Sequence, residues 1–190
     1  MLTLIATQLG WAPLTDADGT PLRWPEGAWP LPLADADAAW AWAAASWTVA
    51  GPATFRPVPA RGLGPDGVIA LETVEDAGRW AEVVGDPALV AFTLVTSEGD
   101  RLMDADVIQN AARFEFAEPP AARRYARRAV LLHELGHALG LGHSCGDGDA
   151  PACEALGDDD PRRTAVMAPR SAPGAGPTPP GGDDRDGLAA

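Results

Sequence analysis

The sequence predicts an α/β or α+β fold in which two long helices cover a sheet. Two segments have the apolar period of an α-helix, one ending near Thr48 and the other near Leu139. Between them lie short segments rich in β-forming residues. Two of these, 88–96 and 102–109, flank the turn sequence Ser-Glu-Gly-Asp at 97–100, which predicts a hairpin. The 190 residues are enough for one well-packed domain.

The other predicted strands are short. The stretch 24–33 contains three prolines, so a strand there is short or lies at a sheet edge, because proline cannot donate a hydrogen bond to a neighbouring strand. Two further strands are predicted at 55–58 and 68–73, after the Gly-Pro pair at 51–52.

The first helix is predicted to begin after Asp35 or Asp37, either of which can act as its N-cap. It continues through Thr48 in an alanine-rich segment. Trp40 and Trp47 are one heptad apart on the same face, so both are expected to pack in the core.

The second long helix is predicted over 121–139, because Pro119-Pro120 stops the preceding strand and suits the first turn of a helix. Its apolar stripe consists of Val130, Leu131, Leu135, Ala138 and Leu139. Proline and glycine then dominate 171–182. Asp183 or Asp184 could cap a short closing helix that is stable only if it docks.

These elements divide the chain into three parts. We expect an N-terminal arm at 1–19, a folded domain at 20–170, and a Pro/Gly-rich segment with the start of a C-terminal helix at 171–190. The sequence contains no internal repeat.

The charge of the chain excludes several partners and chemistries. The formal net charge is −13, and such a surface repels phosphate backbones, so we expect no nucleic-acid partner. The arginines at 123, 124, 127 and 128 are interpreted as a solvated helix face. The chain has no lysine, which excludes phosphate-binding Walker loops, Schiff-base enzymes and serine–lysine hydrolases. No apolar stretch approaches the roughly 20 residues of a membrane span.

Cys145 and Cys153 flank a short polar loop, and a disulfide between them would pin it. Such a bond implies an oxidising compartment. The residues 1–7 have neither the basic nor the apolar region of a signal peptide. We therefore expect a secreted or extracytoplasmic protein whose signal peptide is not present in this chain. The alternative is an intracellular chain with two reduced thiols.

The strongest motif is His-Glu-Leu-Gly-His-Ala-Leu-Gly-Leu-Gly-His at 133–143. On a helix, His133 and His137 lie on one face and can bind one metal ion. Glu134 points about 100° away around the helix, where its carboxylate can reach a water at the metal rather than the metal itself.

Gly140 and His143 complete the motif. A glycine accepts the left-handed conformation needed for a sharp turn at the end of the helix, and three residues later His143 returns to the metal. Three neutral imidazoles plus water form the open tetrahedral zinc site of a catalytic centre. The chain has three histidines, all within this run, so independent packing roles are a poor explanation for them.

This run resembles the signature of the metzincin zinc endopeptidases, His-Glu-x-x-His-x-x-Gly-x-x-His. The sequence Val-Met-Ala-Pro at 166–169 resembles their Met-turn, which would place Met167 beneath the metal. Ser144, directly after the third histidine, resembles the matrixin branch of that family. Other segments that resemble matrixins are 22–24, 104–110 and 183–188. The arginine-only composition suggests a bacterial member.

The resemblance implies a zincin-like catalytic domain at 20–170, with a mixed twisted sheet of about five strands, an active-site helix and a second long helix. It implies an endopeptidase with Glu134 as general base. A substrate would lie along the strand 88–96, and Leu132, His133 and the segment after Met167 would bound a side-chain pocket. The Pro/Gly-rich segment from 171 would form the outer wall of that pocket.

The cofactor expected is one zinc ion, because no histidine remains for a second site. The acidic loops 16–19 and 147–149 are candidates for calcium, but neither has a full calcium-loop pattern and solvated turns are the favoured interpretation. We expect a monomer acting on protein or peptide substrates. Two alternatives are a zinc-binding interaction module without proteolysis and a zinc hydrolase of a non-peptide amide.

Overall fold

The computed structural model describes residues 13–146, 151–169 and 172–189. In chain order the elements are β1 (Leu31–Ala34), α1 (Ala38–Ala50), β2 (Phe55–Val58), β3 (Leu71–Val74), α2 (Ala77–Val83), β4 (Ala91–Glu98), β5 (Arg101–Asn110), β6 (Phe116–Ala117), β7 (Tyr125–Ala126), α3 (Arg127–Ala138) and α4 (Gly182–Ala189). Two single-turn 3₁₀ helices lie at Cys153–Ala155 and Pro161–Arg163. Among the described residues no helix is long and apolar enough to cross a membrane.

The predicted combination of helices and mixed sheet is confirmed, but the strands do not form one continuous sheet of about five. A three-stranded sheet has the order β3-β5-β4, with β3 parallel and β4 antiparallel to the central strand. β1 and β2 form a separate parallel pair, as do β6 and β7. A single parallel bridge between Leu33 and Ile69 joins β1 to the chain just before β3. This isolated bridge precedes β3, which begins at Leu71, and the described strands show no ladder between β1 and β3.

The predicted hairpin is β4 and β5, which are antiparallel with an irregularity between Thr96 and Ser97. Helix α2 was not predicted. Its N-cap is Asp76, whose side chain accepts a hydrogen bond from the Arg79 N–H, and its Trp80 is buried. Trp80 packs with Ile108 against the face of the sheet that lies opposite α3. The sequence signal for this helix is an N-cap aspartate four residues before a buried tryptophan. The helix has only seven residues and contains a glycine, which has a low helix propensity, so the apolar period is too weak to predict it.

The prediction for α3 was wrong at its start, which lies at Arg127 rather than near residue 121. Tyr125–Ala126 instead pairs with Phe116–Ala117, and Arg123 has a left-handed φ of 66°. Strand pairing and a left-handed residue are both incompatible with a helix through this segment. The prolines 119 and 120 therefore precede a loop and a strand, not the first turn of α3.

The arginines also differ from a solvated helix face. Arg124 pairs with Glu115, Arg127 with Asp37, and Arg128 with Glu118. Of these, only Arg127 and Arg128 belong to the helix. Three of the four arginines thus form ion pairs with nearby carboxylates, as expected for a surface of negative net charge.

The core lies between α1, α3 and the sheet, as the tryptophan spacing in α1 predicts. Trp40 and Trp47 are 1% and 0% exposed. The indole N–H of Trp47 donates to the Leu132 carbonyl at 2.8 Å, so α1 holds the middle of α3. Asp37 is the N-cap of α1, and its side chain accepts from the N–H of Ala39. The same carboxylate binds Arg127, which ties the first turns of the two long helices together.

Two buried carboxylates of β5 hold the irregular loop that precedes β3. Asp104 accepts from the Gly67 N–H at 2.9 Å, and Asp106 accepts from the N–H groups of Gly64 and Ala70. Burial, followed by the neighbouring charge of Asp106, raises the pKa of Asp104 to about 7. Burial likewise raises the pKa of Asp106.

Asp104→Asn is expected to weaken the pH dependence of stability between about pH 4 and about pH 7. A carboxyl with a higher pKa in the folded chain binds its proton preferentially in that state, so stability falls as pH rises through this window. Urea unfolding of the chelator-treated protein at several pH values measures the slope. The exposed Asp35→Asn is the control. An Asp104→Asn slope equal to that of the wild type would contradict the prediction.

Candidate metal centre

Helix α3 directs two histidines of the motif towards one point, as its periodicity requires. His133 and His137 are one turn apart, and their Nε2 atoms lie 3.1 Å from each other. Their rings are nearly perpendicular, with centroids 4.7 Å apart. Glu134 follows the first histidine and is 7% exposed.

The third histidine reaches the same point because the chain turns sharply after α3. Gly140 has a φ of +99°, the left-handed region that the sequence predicts for it, and a Cβ there would lie 3.1 Å from the Leu22 carbonyl oxygen. The Leu141 N–H donates back to the Gly136 carbonyl and closes the turn. The ring of His143 then lies 5.2 Å from that of His133. One ligand atom from each of the three histidines lies within 4.8 Å of the others.

Backbone carbonyls set the tautomers of the first two imidazoles. The Nδ1 of His133 lies 2.7 Å from the Val166 carbonyl oxygen, and the Nδ1 of His137 lies 2.7 Å from that of Leu141. A carbonyl can only accept, so each Nδ1 carries the hydrogen and each Nε2 presents a lone pair. These are the outer hydrogen bonds that orient metal-binding histidines.

The donor set fits zinc. Burial, followed by the charges of His133 and His143, holds the pKa of His137 well below its usual range, so this imidazole is neutral. The two Nε2 atoms face each other at 3.1 Å, a separation at which they can hold a cation between them. Two Zn–N bonds at the tetrahedral angle place the nitrogens about 3.3 Å apart, close to that distance. Three imidazoles with an open fourth position suit zinc.

Glu134 lies beside the histidines with its carboxylate at the cleft. Burial raises its pKa, while the charge of His133 and a hydrogen bond from Thr93 act in the opposite direction. The Thr93 hydroxyl lies 2.7 Å from the Glu134 Oε2. Sequence reasoning missed Thr93, because it lies on β4 and 41 residues separate it from Glu134.

The segment with Met167 packs beneath α3. Met167 is 3% exposed, and a Cβ on Gly136 would lie 2.3 Å from its sulfur. The Ser144 N–H donates to the Met167 carbonyl at 2.9 Å, which links the turn to the third histidine. The Asp184 carboxylate accepts from the N–H groups of Val166 and Met167.

Asp184 was expected only as a helix cap. It does accept from the Gly181 N–H at the start of α4, but it is 1% exposed and also holds the turn around Met167. The closing helix is therefore docked against the turn around Met167 rather than isolated.

The predicted disulfide between Cys145 and Cys153 is present, with a sulfur–sulfur distance of 2.03 Å. Cys145 is fully buried, two residues after His143. The Ser144 hydroxyl donates to the Arg162 carbonyl at 2.7 Å. The disulfide and this hydrogen bond together fix the chain that leaves the third histidine.

The two candidate calcium loops have different outcomes. Asp16 folds its own loop, because its Oδ1 accepts from the N–H groups of Asp18 and Thr20 at 2.9 and 2.8 Å. This self-contained turn agrees with the solvated-turn interpretation. The loop 147–149 lies outside the described residues.

A cleft of about 760 Å³ runs past the histidines and Glu134. Its walls are β4 with the segment 88–90, one face of α3, the N-terminal turn 14–18, and Ala168 with Pro169. Val130 lines it, whereas the predicted Leu132 is 1% exposed and packs in the core. Positions 130, 133, 134 and 137 share one helix face and position 132 does not. The described part of the predicted outer wall, 172–180, does not line this cleft.

Comparison of the chain with profiles of known protein families finds no match, and comparison with characterised proteins finds no significant match either. The resemblance to metzincins therefore depends on the motif residues themselves.

Gly136→Ala is expected to destabilise the protein by about 1–3 kcal/mol, because the new methyl group would overlap the Met167 sulfur and approach the Trp47 ring to 2.9 Å. Zinc retention should fall as well, since Met167 adjoins the carbonyl that orients His133. Urea unfolding and metal analysis after dialysis measure the two effects. Gly157→Ala, which meets open space, is the control. A Gly136→Ala variant as stable as the control would contradict the packing described.

Replacing both cysteines by serine is expected to lower the stability by roughly 2–3 kcal/mol, because the unfolded chain regains freedom. Added zinc should also be removed at a lower chelator concentration, because the chain that leaves His143 is no longer fixed by the disulfide. Chelator titration of wild type and variant compares them. Unchanged chelator sensitivity would show that the loop does not hold the third histidine.

Proposed function

We propose that this protein is a zinc-dependent endopeptidase of the metzincin type, closest to the matrixins. The observation that carries the proposal is the convergence of three imidazole nitrogens within 4.8 Å beside a buried glutamate at an open cleft. A structural zinc site would be closed by a fourth protein ligand, whereas this one opens on the cleft.

We assign the following roles to the residues of the site. His133, His137 and His143 would hold the zinc ion, which when bound lowers the pKa of a water molecule towards ~7 and polarises the scissile carbonyl. Glu134 acts as general base through the carboxylate oxygen not bonded to Thr93, and then delivers the proton to the departing amine. Its burial suits this role, because a raised pKa favours temporary protonation.

The shape of the cleft supports a peptide substrate. Among the described strands, β4 pairs on one side only, with β5, so its outer edge has free backbone donors and acceptors along the cleft. An extended peptide can pair with such an edge by β-augmentation. Apolar side chains at Leu89, Val90 and Val130 would contact the side chains of the peptide.

The proposal also includes the location of the protein and the number of zinc ions that it binds. The disulfide between Cys145 and Cys153 favours an oxidising, extracytoplasmic location. The chain offers no histidine beyond these three, so a single zinc ion per chain is proposed.

Incubation of the zinc-loaded protein with a mixed peptide library, read by mass spectrometry, tests the proposal. New peptide termini support an endopeptidase. Zinc binding without any cleavage would instead favour an interaction module, and turnover confined to small amides would favour a non-peptide hydrolase.

Glu134→Ala is expected to retain one zinc ion per chain and to lose turnover by a factor of at least about 10². The general base is removed while the three ligands remain. Metal analysis and a peptide cleavage assay measure these two properties, and the exposed Glu75→Ala is the control. Full activity in Glu134→Ala would refute the mechanism.

A further inference from the structure

Thr93 is a polar residue between two apolar residues on one face of β4. Ala91 and Val95 share its side of the strand, towards α3, whereas Phe92 and Leu94 pack against the cluster around Trp80. Thr93 is 9% exposed. Valine has the same shape and a high β propensity, so packing alone gives no reason for a hydroxyl here.

The hydroxyl has a specific partner in Glu134. Its Oγ1 lies 2.7 Å from the carboxylate Oε2 and 2.9 Å from the backbone carbonyl oxygen of the same residue. The hydroxyl has one hydrogen to donate to these two oxygens, and the charged carboxylate is the stronger acceptor. The hydroxyl therefore reaches across from the sheet to the middle of α3.

This contact restricts a side chain that would otherwise rotate. Glutamate has three side-chain torsions, whereas threonine is stiff at χ1 because its Cβ is branched. A hydrogen bond to Oε2 leaves Oε1 as the oxygen that can face the histidines. The strand that would bind a peptide and the residue that would accept the proton are thus joined directly.

We propose that Thr93 is a positioning residue for the general base: its hydroxyl fixes the Glu134 carboxylate so that Oε1 takes and returns the proton. This inference rests on the proposed endopeptidase function. The role belongs to the hydroxyl and not to the bulk of the side chain. Substitutions that remove the hydroxyl but keep the bulk, or keep the hydroxyl but reduce the bulk, can therefore test it.

The kinetic test compares Thr93→Val, Thr93→Ser and the control Thr54→Val, a change of the same type at an exposed site before β2. Thr93→Val should lower kcat about 10- to 100-fold with KM and zinc content close to wild type, because a hydrogen bond to a charged group is lost. Thr93→Ser should retain most of kcat, and Thr54→Val should leave it unchanged. Wild-type kcat in Thr93→Val, or an equal loss in Thr93→Ser, would overturn the proposal.

A second test uses the metal-free protein and needs no activity. Thermal unfolding of wild type, Thr93→Val, Glu134→Ala and the double variant forms a double-mutant cycle. The loss of Tm caused by Thr93→Val should be roughly 2–4 °C larger when Glu134 is present than when it is alanine. Equal losses in the two backgrounds would show that the hydroxyl does not bind this carboxylate, and would overturn the proposal.

The two tests separate this inference from the proposed function. A protein that cleaves no peptide while the cycle shows coupling would refute the endopeptidase, and with it the kinetic role of Thr93, but not the contact. A protein that cleaves peptides and shows no coupling would refute the role of Thr93 alone.

Discussion

The close approach of the Met167 side chain to helix α3 is the constraint on which the candidate metal centre depends. It requires a residue without a Cβ at position 136, because a methyl group there would overlap the sulfur. With that space open, the Val166 carbonyl reaches the His133 Nδ1 and the Met167 carbonyl accepts from the Ser144 N–H. One packing contact thereby orients the first histidine and anchors the chain that carries the third. Asp184 completes the arrangement, since its buried carboxylate holds the same turn from α4.

The electrostatics of the site follow from burial and from the direction of a few hydrogen bonds. Carbonyl acceptors at Val166 and Leu141 leave the two Nε2 atoms facing each other, an arrangement that suits a shared cation. Glu134 is buried beside them, where its carboxylate also needs a donor, and Thr93 supplies it from β4. The strand thus has two roles, because its outer edge lines the cleft while one side chain orients the glutamate. In the proposed mechanism, substrate binding and proton transfer are therefore linked through one strand.

Local signals explain which features could be predicted. Trp40 and Trp47 share a helix face by spacing alone, and Asp37 can act as an N-cap without help from distant residues. The start of α3 could not be predicted in this way, because Tyr125–Ala126 has a partner strand and Arg123 a left-handed conformation that the apolar period does not reveal. The division of the sheet was also unpredictable. It depends on a single bridge between Leu33 and Ile69, which are far apart in the chain.

The same distinction applies to the site. Three histidines, a glutamate and a turn glycine within eleven residues determined by themselves that α3 and its C-terminal turn could hold zinc, because helix geometry brings such residues together. The sequence also paired Cys145 with Cys153, since few residues separate them. Only the tertiary structure decided what surrounds the metal centre: Thr93 beside Glu134, Asp184 beneath Met167, and Val130 rather than Leu132 at the cleft. These contacts join residues that are distant in sequence or depend on the rotation of α3 against the sheet, which long-range packing sets and no local pattern records.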